Sequence, residues 1–159
     1  MSYPYPDAPR LLLGDAGRDL LVGGTANDTI SGGAGRDTII AGAGADRIEA
    51  GAGNDVITGG YGADYISGGR GADIFRYGTV EEMRGDVIAD FSTAQGDKID
   101  LSNLYEGYLE WGVEIWLNFQ SGYGRTPDKT MVRVDVDNDG NADLNLTVQA
   151  HLSYSDFIF

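Results

Sequence analysis

Between Gly14 and Arg76 the large apolar residues return at a fixed interval of nine: Leu21, Ile30, Ile39, Ile48, Ile57, Ile66 and Phe75. This spacing fits neither the 3.6-residue period of an amphipathic helix nor the unbroken alternation of a long strand. It divides the stretch into seven consecutive blocks: GDAGRDLLV, GGTANDTIS, GGAGRDTII, AGAGADRIE, AGAGNDVIT, GGYGADYIS and GGRGADIFR. The sixth position is Asp in all seven (Asp19, Asp28, Asp37, Asp46, Asp55, Asp64, Asp73), and the fourth is Gly everywhere except Ala26. Six Gly-rich residues ending in Asp can reverse the chain, because Gly tolerates positive φ. The three that remain, x-apolar-x, suffice for a short strand with its central side chain on one face. Repetition of turn and strand winds a coil with two strands per full turn. Odd blocks then stack into one parallel sheet and even blocks into another, with the apolar eighth positions meeting between them. Each block buries little alone, so stability must come from its neighbours.

The residues on either side of each buried position describe the outer faces. Odd blocks place Leu20, Val22, Thr38, Ile40, Val56, Thr58 and Ile74 outside, whereas even blocks place Thr29, Ser31, Arg47, Glu49, Tyr65 and Ser67 there. An apolar outer face is usually covered, so the C-terminal half, or Leu11–Leu13, is expected to pack on the odd sheet while the even sheet stays wet. After Arg76 the period stops. Met131, Val132, Val134 and Val136, then Leu144, Leu146 and Val148, alternate as strands. The loop between them has Asp135, Asp137, Asp139, Gly140 and Asp143 in the spacing that opens an EF-hand. Its twelfth position is Leu146 rather than a bidentate Glu, and the alternating flanks predict a β-hairpin with an Asp-Gly turn instead. Trp116 to Phe119 reads as a further strand. Tyr105, Tyr108, Trp111, Trp116, Phe119 and Tyr123 are expected in a core, with a sugar-stacking platform as the alternative.

Composition narrows the chemistry. Acidic residues outnumber basic ones 25 to 11 in 159 residues, a net charge of −14, which argues against nucleic acid or an anionic membrane surface as partner. There is no Cys and a single His, His151, so disulfides, thiol catalysis and Cys- or His-built metal clusters are excluded within one chain. No apolar run is long enough to span a bilayer. Met1–Arg10 lacks the basic start and apolar run of a secretory signal, so export would need to be directed from elsewhere in the chain.

The coil aligns the aspartates of blocks n and n+2 on one edge. Carboxylates lined up at strand spacing repel unless a cation lies between them. Calcium suits such a place: it takes about six to eight oxygens, which carboxylates and turn carbonyls can supply. Magnesium demands a tighter octahedron, and zinc or copper would want N or S donors. Five pairs result: Asp19/Asp37, Asp28/Asp46, Asp37/Asp55, Asp46/Asp64 and Asp55/Asp73. The candidate metal ligands are those seven aspartates together with the turn glycines Gly17, Gly35, Gly44, Gly53, Gly62 and Gly71. About five or more calcium ions are expected. Asp86, Asp90, Asp97 and Asp100 are either capping ligands, with Asp90 and Asp100 the preferred candidates, or solvated surface carboxylates. Charge alone does not locate these sites: residues 14–76 hold nine acids and five arginines, a balance of only −4.

The blocks resemble the G-G-x-G-x-D-x-apolar-x nonapeptide of the RTX (repeats-in-toxin) family. That resemblance implies a right-handed parallel β-roll with calcium between successive turns. It also implies bacterial export by the type I apparatus, guided by an uncleaved C-terminal signal. Gly85–Leu104 (GDVIADFSTAQGDKIDLSNL) and Asp135–Phe159 are similar to the segments that follow the roll in serralysin-type metalloproteases and in the repeat modules of alginate epimerases. The tail Ser155-Asp156-Phe157-Ile158-Phe159 is similar to the acidic-then-apolar export signal, or else it is a final strand. Serralysins need a His-Glu-x-x-His zinc site, which one His cannot provide, and epimerases carry their active site in a separate domain. The expectation is therefore a non-catalytic, all-β module: an N-terminal segment (1–13), a β-roll (14–76) and a C-terminal β-rich cap with hairpins (77–159). Its roll would be disordered or molten without calcium and would fold on binding it outside the cell. Alternative roles are binding of an anionic polysaccharide or structuring a secreted partner protein.

Overall fold

The computed structural model describes residues 8–104, 114–120, 129–135, 144–150 and 152–158. Among these, strands dominate and fall into two sheets. The even sheet contains β1 (Leu11–Leu13), β3 (Thr29–Ala34), β5 (Arg47–Ala52), β7 (Tyr65–Arg70), β9 (Val87–Ile88), β13 (Leu144–Val148), β12 (Lys129–Asp135) and β11 (Glu114–Gln120), in that spatial order. The odd sheet contains β2 (Leu20–Gly24), β4 (Thr38–Ala43), β6 (Val56–Tyr61), β8 (Ile74–Arg76), β10 (Lys98–Asp100) and β14 (Phe157–Ile158), again in spatial order. Consecutive strands thus alternate between sheets through the repeats, as the nine-residue period requires, and the result is a parallel β-solenoid.

Register builds the core. In the odd sheet Leu21, Ile39, Ile57, Phe75, Ile99 and Phe157 stack in one column. In the even sheet Leu12, Ile30, Ile48, Ile66, Ile88 and Val148 form the facing column. All but the two N-terminal leucines are buried, and those two pack half-buried against the core. The columns continue past Arg76 on residues outside the nonapeptide period, so the parallel ladder outlasts the repeat that starts it. Tyr77, Val80, Met83, Phe91, Leu101 and Leu104 enlarge the same core at this end.

Tight stacking explains the glycines. At Gly60, φ is +97°, and a methyl group there would lie 1.9 Å from the carbonyl oxygen of Gly42 one turn earlier. No other residue meets both conditions without moving the backbone.

The C-terminal hairpins are present: β11 pairs antiparallel with β12, and β12 with β13. The connection between β12 and β13, with Asp137, Asp139, Gly140 and Asp143, lies outside the described residues. So do His151, Tyr105, Tyr108, Trp111 and Tyr123 and the side chains of Trp116 and Phe119. The tail forms β14, the last rung of the odd sheet.

One expectation fails. Leu11–Leu13 does not cover the odd sheet but becomes the edge strand of the even one; of the described C-terminal strands, β9, β13, β12 and β11 extend the even sheet sideways and β10 and β14 extend the odd one. Leu20, Val22 and Ile40 stay 67%, 50% and 42% exposed on the outer odd face, whereas Thr38, Val56, Thr58 and Ile74 there are half-buried. The strands of the second half satisfy the open backbone edge of a sheet, and a strand spent that way cannot also lie across a face. The even face is open to solvent as expected, with Thr29, Arg47, Glu49 and Tyr65 exposed.

Inside and outside should separate cleanly in urea unfolding of the calcium-saturated chain. Ile48→Ala removes a fully buried side chain and lowers stability by about 2–5 kcal/mol, whereas Ile40→Ser on the outer face shifts it by under ~0.5 kcal/mol. Equal losses would contradict the assigned faces.

Candidate metal centre

Each aspartate closes its turn immediately before a strand, so its side chain swings under the stacked backbone. One oxygen is held in the same way along both rows. The Oδ1 atoms of Asp37, Asp46, Asp55, Asp64 and Asp73 accept the backbone N–H of the aspartate one turn earlier, at 2.7–2.9 Å. Asp28 accepts the N–H of Arg10 in that role, at 2.7 Å.

The second oxygen distinguishes the middle of the rows from the ends. Asp19 Oδ2 and Asp28 Oδ2 accept the N–H groups of Asp15 and Gly24 in their own turns, each at 2.9 Å. The Oδ2 atoms of Asp37, Asp46, Asp55, Asp64 and Asp73 are buried and have no hydrogen-bond partner. Five buried, half-satisfied carboxylates in a repeating array are costly unless a cation completes them. Carboxylate oxygens suit a hard dication such as calcium rather than zinc or copper. Among the described residues no three acidic or His side chains converge on one point. An ion held here would therefore draw on backbone carbonyls as well as carboxylates; the turns stack so closely that a Cβ at Gly35, Gly53, Gly62 or Gly71 would collide with the carbonyl oxygen of Gly17, Gly35, Gly44 or Gly53.

The electrostatics agree. Burial raises the carboxyls of Asp46 and Asp55, opposed by one N–H hydrogen bond each and assisted by the neighbouring aspartate. The same causes push Asp64 and Asp73 up to about 6. Without a cation these four carboxyls hold their protons to higher pH than a free aspartate does.

Of the sequence-derived candidates, the seven repeat aspartates fall in two continuous rows and the fourth-position glycines line the turns beside them. Asp90 and Asp100 do not join those rows. Asp90 accepts the N–H groups of Gly68 and Gly69 and the Ser67 hydroxyl, clamping the last repeat turn. Asp100 is spoken for by Arg76 at 2.9 Å and by the N–H and hydroxyl of Ser102; burial raises its pKa, but these bonds bring it below the usual carboxylate range. Both side chains are thus engaged by protein donors outside the two rows.

Asp86 and Asp97 extend the rows instead. Asp86 Oδ1 accepts the Asp64 N–H at 2.8 Å and Asp97 Oδ1 accepts the Asp73 N–H at 3.0 Å. Their distances in sequence, 22 and 24 residues, hide them from an 18-residue search. The signal that does find them is local: both stand in Gly-Asp-x-Ile-x, the end of a repeat without its glycine-rich start (GDVIA at 85–89 and GDKID at 96–100).

The comparisons with known proteins point the same way. The family model for the RTX calcium-binding nonapeptide repeat (4 copies) matches residues 13–48 and 40–75. Among solved structures, the chain is similar to the R2 subunit of the AlgE6 mannuronan C5-epimerase of Azotobacter vinelandii, with 26% identity, a TM-score of 0.62 and coverage of 87% of this chain and 91% of that one. The R3 subunit of the same enzyme aligns at 27% identity with a TM-score of 0.47, over 92% of this chain and 80% of that one. No curated protein matches.

The raised carboxyls set a pH dependence for the metal-free chain. A pKa near 6 in the coil against 3.8 unfolded means that the coil binds more protons between those values. The contribution of these two groups to stability is thus fully present below about pH 4 and is lost as pH rises through 6. Circular dichroism in calcium-free buffer should show more β structure at pH 4.5 than at pH 7.5 (roughly 1.5 units to either side of those two groups). The reverse order would contradict the assignment.

Proposed function

We propose that residues 13–75, which carry RTX calcium-binding nonapeptide repeats, make this chain a calcium-driven folding module of an exported protein. The observation that carries this reading is the set of five buried, unpartnered carboxylate oxygens on Asp37, Asp46, Asp55, Asp64 and Asp73. Each belongs to one of the five carboxylate pairs, so the reading assigns about five ions, held by the aspartates and by turn carbonyls. Without them the rows repel and the Gly-rich chain has little buried area to offset its ordering. With them, binding energy becomes folding energy.

Calcium modules of extracellular proteins work at about 10⁻⁴–10⁻³ M. A chain tuned to that range stays unfolded in a calcium-poor cytosol and folds once outside. The tail at Ser155–Phe159 serves as the type I export signal while extended, and Phe157–Ile158 then closes the odd sheet. The chain has no catalysis of its own in this reading.

A second role is supported by the likeness to the R2 subunit of a mannuronan epimerase: binding of an anionic polysaccharide. The exposed even face offers Arg47, which lies over the Tyr65 ring at 5.2 Å and also pairs with Glu49. Arg70 is exposed nearby in the sequence order of the same sheet.

Circular dichroism during a calcium titration tests the first role. β content rises cooperatively, with a midpoint near 10⁻⁴–10⁻³ M, on the order of that of other extracellular calcium modules. Unchanged β content in excess chelator at neutral pH would remove the folding switch. For the second role, mannuronan retards the calcium-loaded chain in an affinity gel and Arg47→Ala weakens the effect; no retardation would remove it.

A further inference from the structure

The aspartate rows extend two rungs beyond the five pairs. Asp64/Asp86 and Asp73/Asp97 have the same backbone clamp as the others, with Oδ1 of the later residue accepting the N–H of the earlier one. What differs is the later residue's second oxygen. In each of the five repeat pairs that oxygen is buried and unpartnered. In Asp86 it receives the Tyr77 hydroxyl at 3.2 Å, and in Asp97 it receives the Ser92 N–H at 2.8 Å.

We propose that Tyr77 is a row terminator: its hydroxyl fills the position that a calcium ion takes in the preceding rungs and so closes a latent cation site at Asp64/Asp86. The inference rests on the calcium reading of the five pairs. Three observations carry it beyond that reading. The rung keeps the backbone clamp of the others although its turn lacks the glycine-rich start and spans 22 residues instead of 18, so the acid is positioned as in the repeats and its second oxygen is what differs at the carboxylate. Tyr77 is 1% exposed and belongs to the core cluster with Val80, Met83 and Ile88, so its hydroxyl is delivered by a ring that packing holds in place. The donor is neutral and single, which satisfies one oxygen without recruiting further ligands. Ser92 closes the odd row in the same sense, but with a backbone N–H, which no side-chain truncation removes. Tyr77 is the end that can be opened.

The experiment is calorimetric titration of the full chain with calcium, comparing the wild type with Asp55→Asn, Asp86→Asn and Tyr77→Phe. Asp55→Asn is the control for the underlying reading, and it binds at least one ion fewer than the wild type. Asp86→Asn keeps an acceptor for the Asp64 N–H and an amide group for the Tyr77 hydroxyl, and binds as many ions as the wild type. Tyr77→Phe leaves Asp86 with an unpartnered oxygen and gains one ion. Loss of an ion in Asp86→Asn would overturn the proposal, because the rung would already be occupied. So would an unchanged ion count in a folded Tyr77→Phe; if that variant does not fold, Asp86→Asn alone decides. A wild type that takes up no calcium, or an Asp55→Asn that loses none, would be the separate failure of the calcium reading itself.

Discussion

A carboxylate buried once per half turn, with one oxygen clamped by the backbone of the turn before and the other left open, is the constraint around which this molecule is built. The clamp fixes how successive turns stack, because an N–H to Oδ1 bond of 2.7–2.9 Å is made at each step. The open oxygen, on Asp37, Asp46, Asp55, Asp64 and Asp73, leaves a buried acceptor unmatched at each of these steps. A hydrophobic core of one large side chain per block cannot by itself compensate for burying charge in two parallel rows. The same aspartates therefore set the geometry of the coil and carry its unpartnered buried oxygens.

Much of this was legible in the sequence because the period is strict. An apolar residue and an acid at fixed places in nine define strand, turn, two sheets and two rows of carboxylates, and the structure follows that layout from Leu20 to Arg76. Legibility ends where the period does. Asp86 and Asp97 continue the rows after insertions of different length, so periodicity misses them although their backbone partners are the expected ones. Asp90 and Asp100 look similar in sequence, yet Ser67, Arg76 and Ser102 claim their oxygens. A residue's type and spacing show what it can bind; which neighbour reaches it first is decided by tertiary packing.

The outer odd face was misjudged for a related reason. Apolar residues at Leu20, Val22 and Ile40 suggested a covered surface, and the β-rich second half supplied an obvious cover. Sequence patterning shows which face of a strand is apolar but does not show whether a later strand will add to an edge or lie over a face. Here β9 and β13 pair at the edge of the even sheet, where each new strand satisfies backbone groups that would otherwise be open.

The alternation of blocks between two sheets imposes a parity rule on the history of the chain. β9 continues the even sheet from β7 and β10 continues the odd sheet from β8. Gain or loss of a single nonapeptide would exchange the two sides for everything downstream, presenting the cap to the wrong partner strands and moving Arg47, Glu49 and Tyr65 to the opposite flank from their present neighbours. Duplication or deletion of two blocks together leaves every side in place. The repeat that is copied by eye is nine residues long, but the unit that can be inherited without rebuilding the cap is eighteen, the sequence separation of the clamped aspartates.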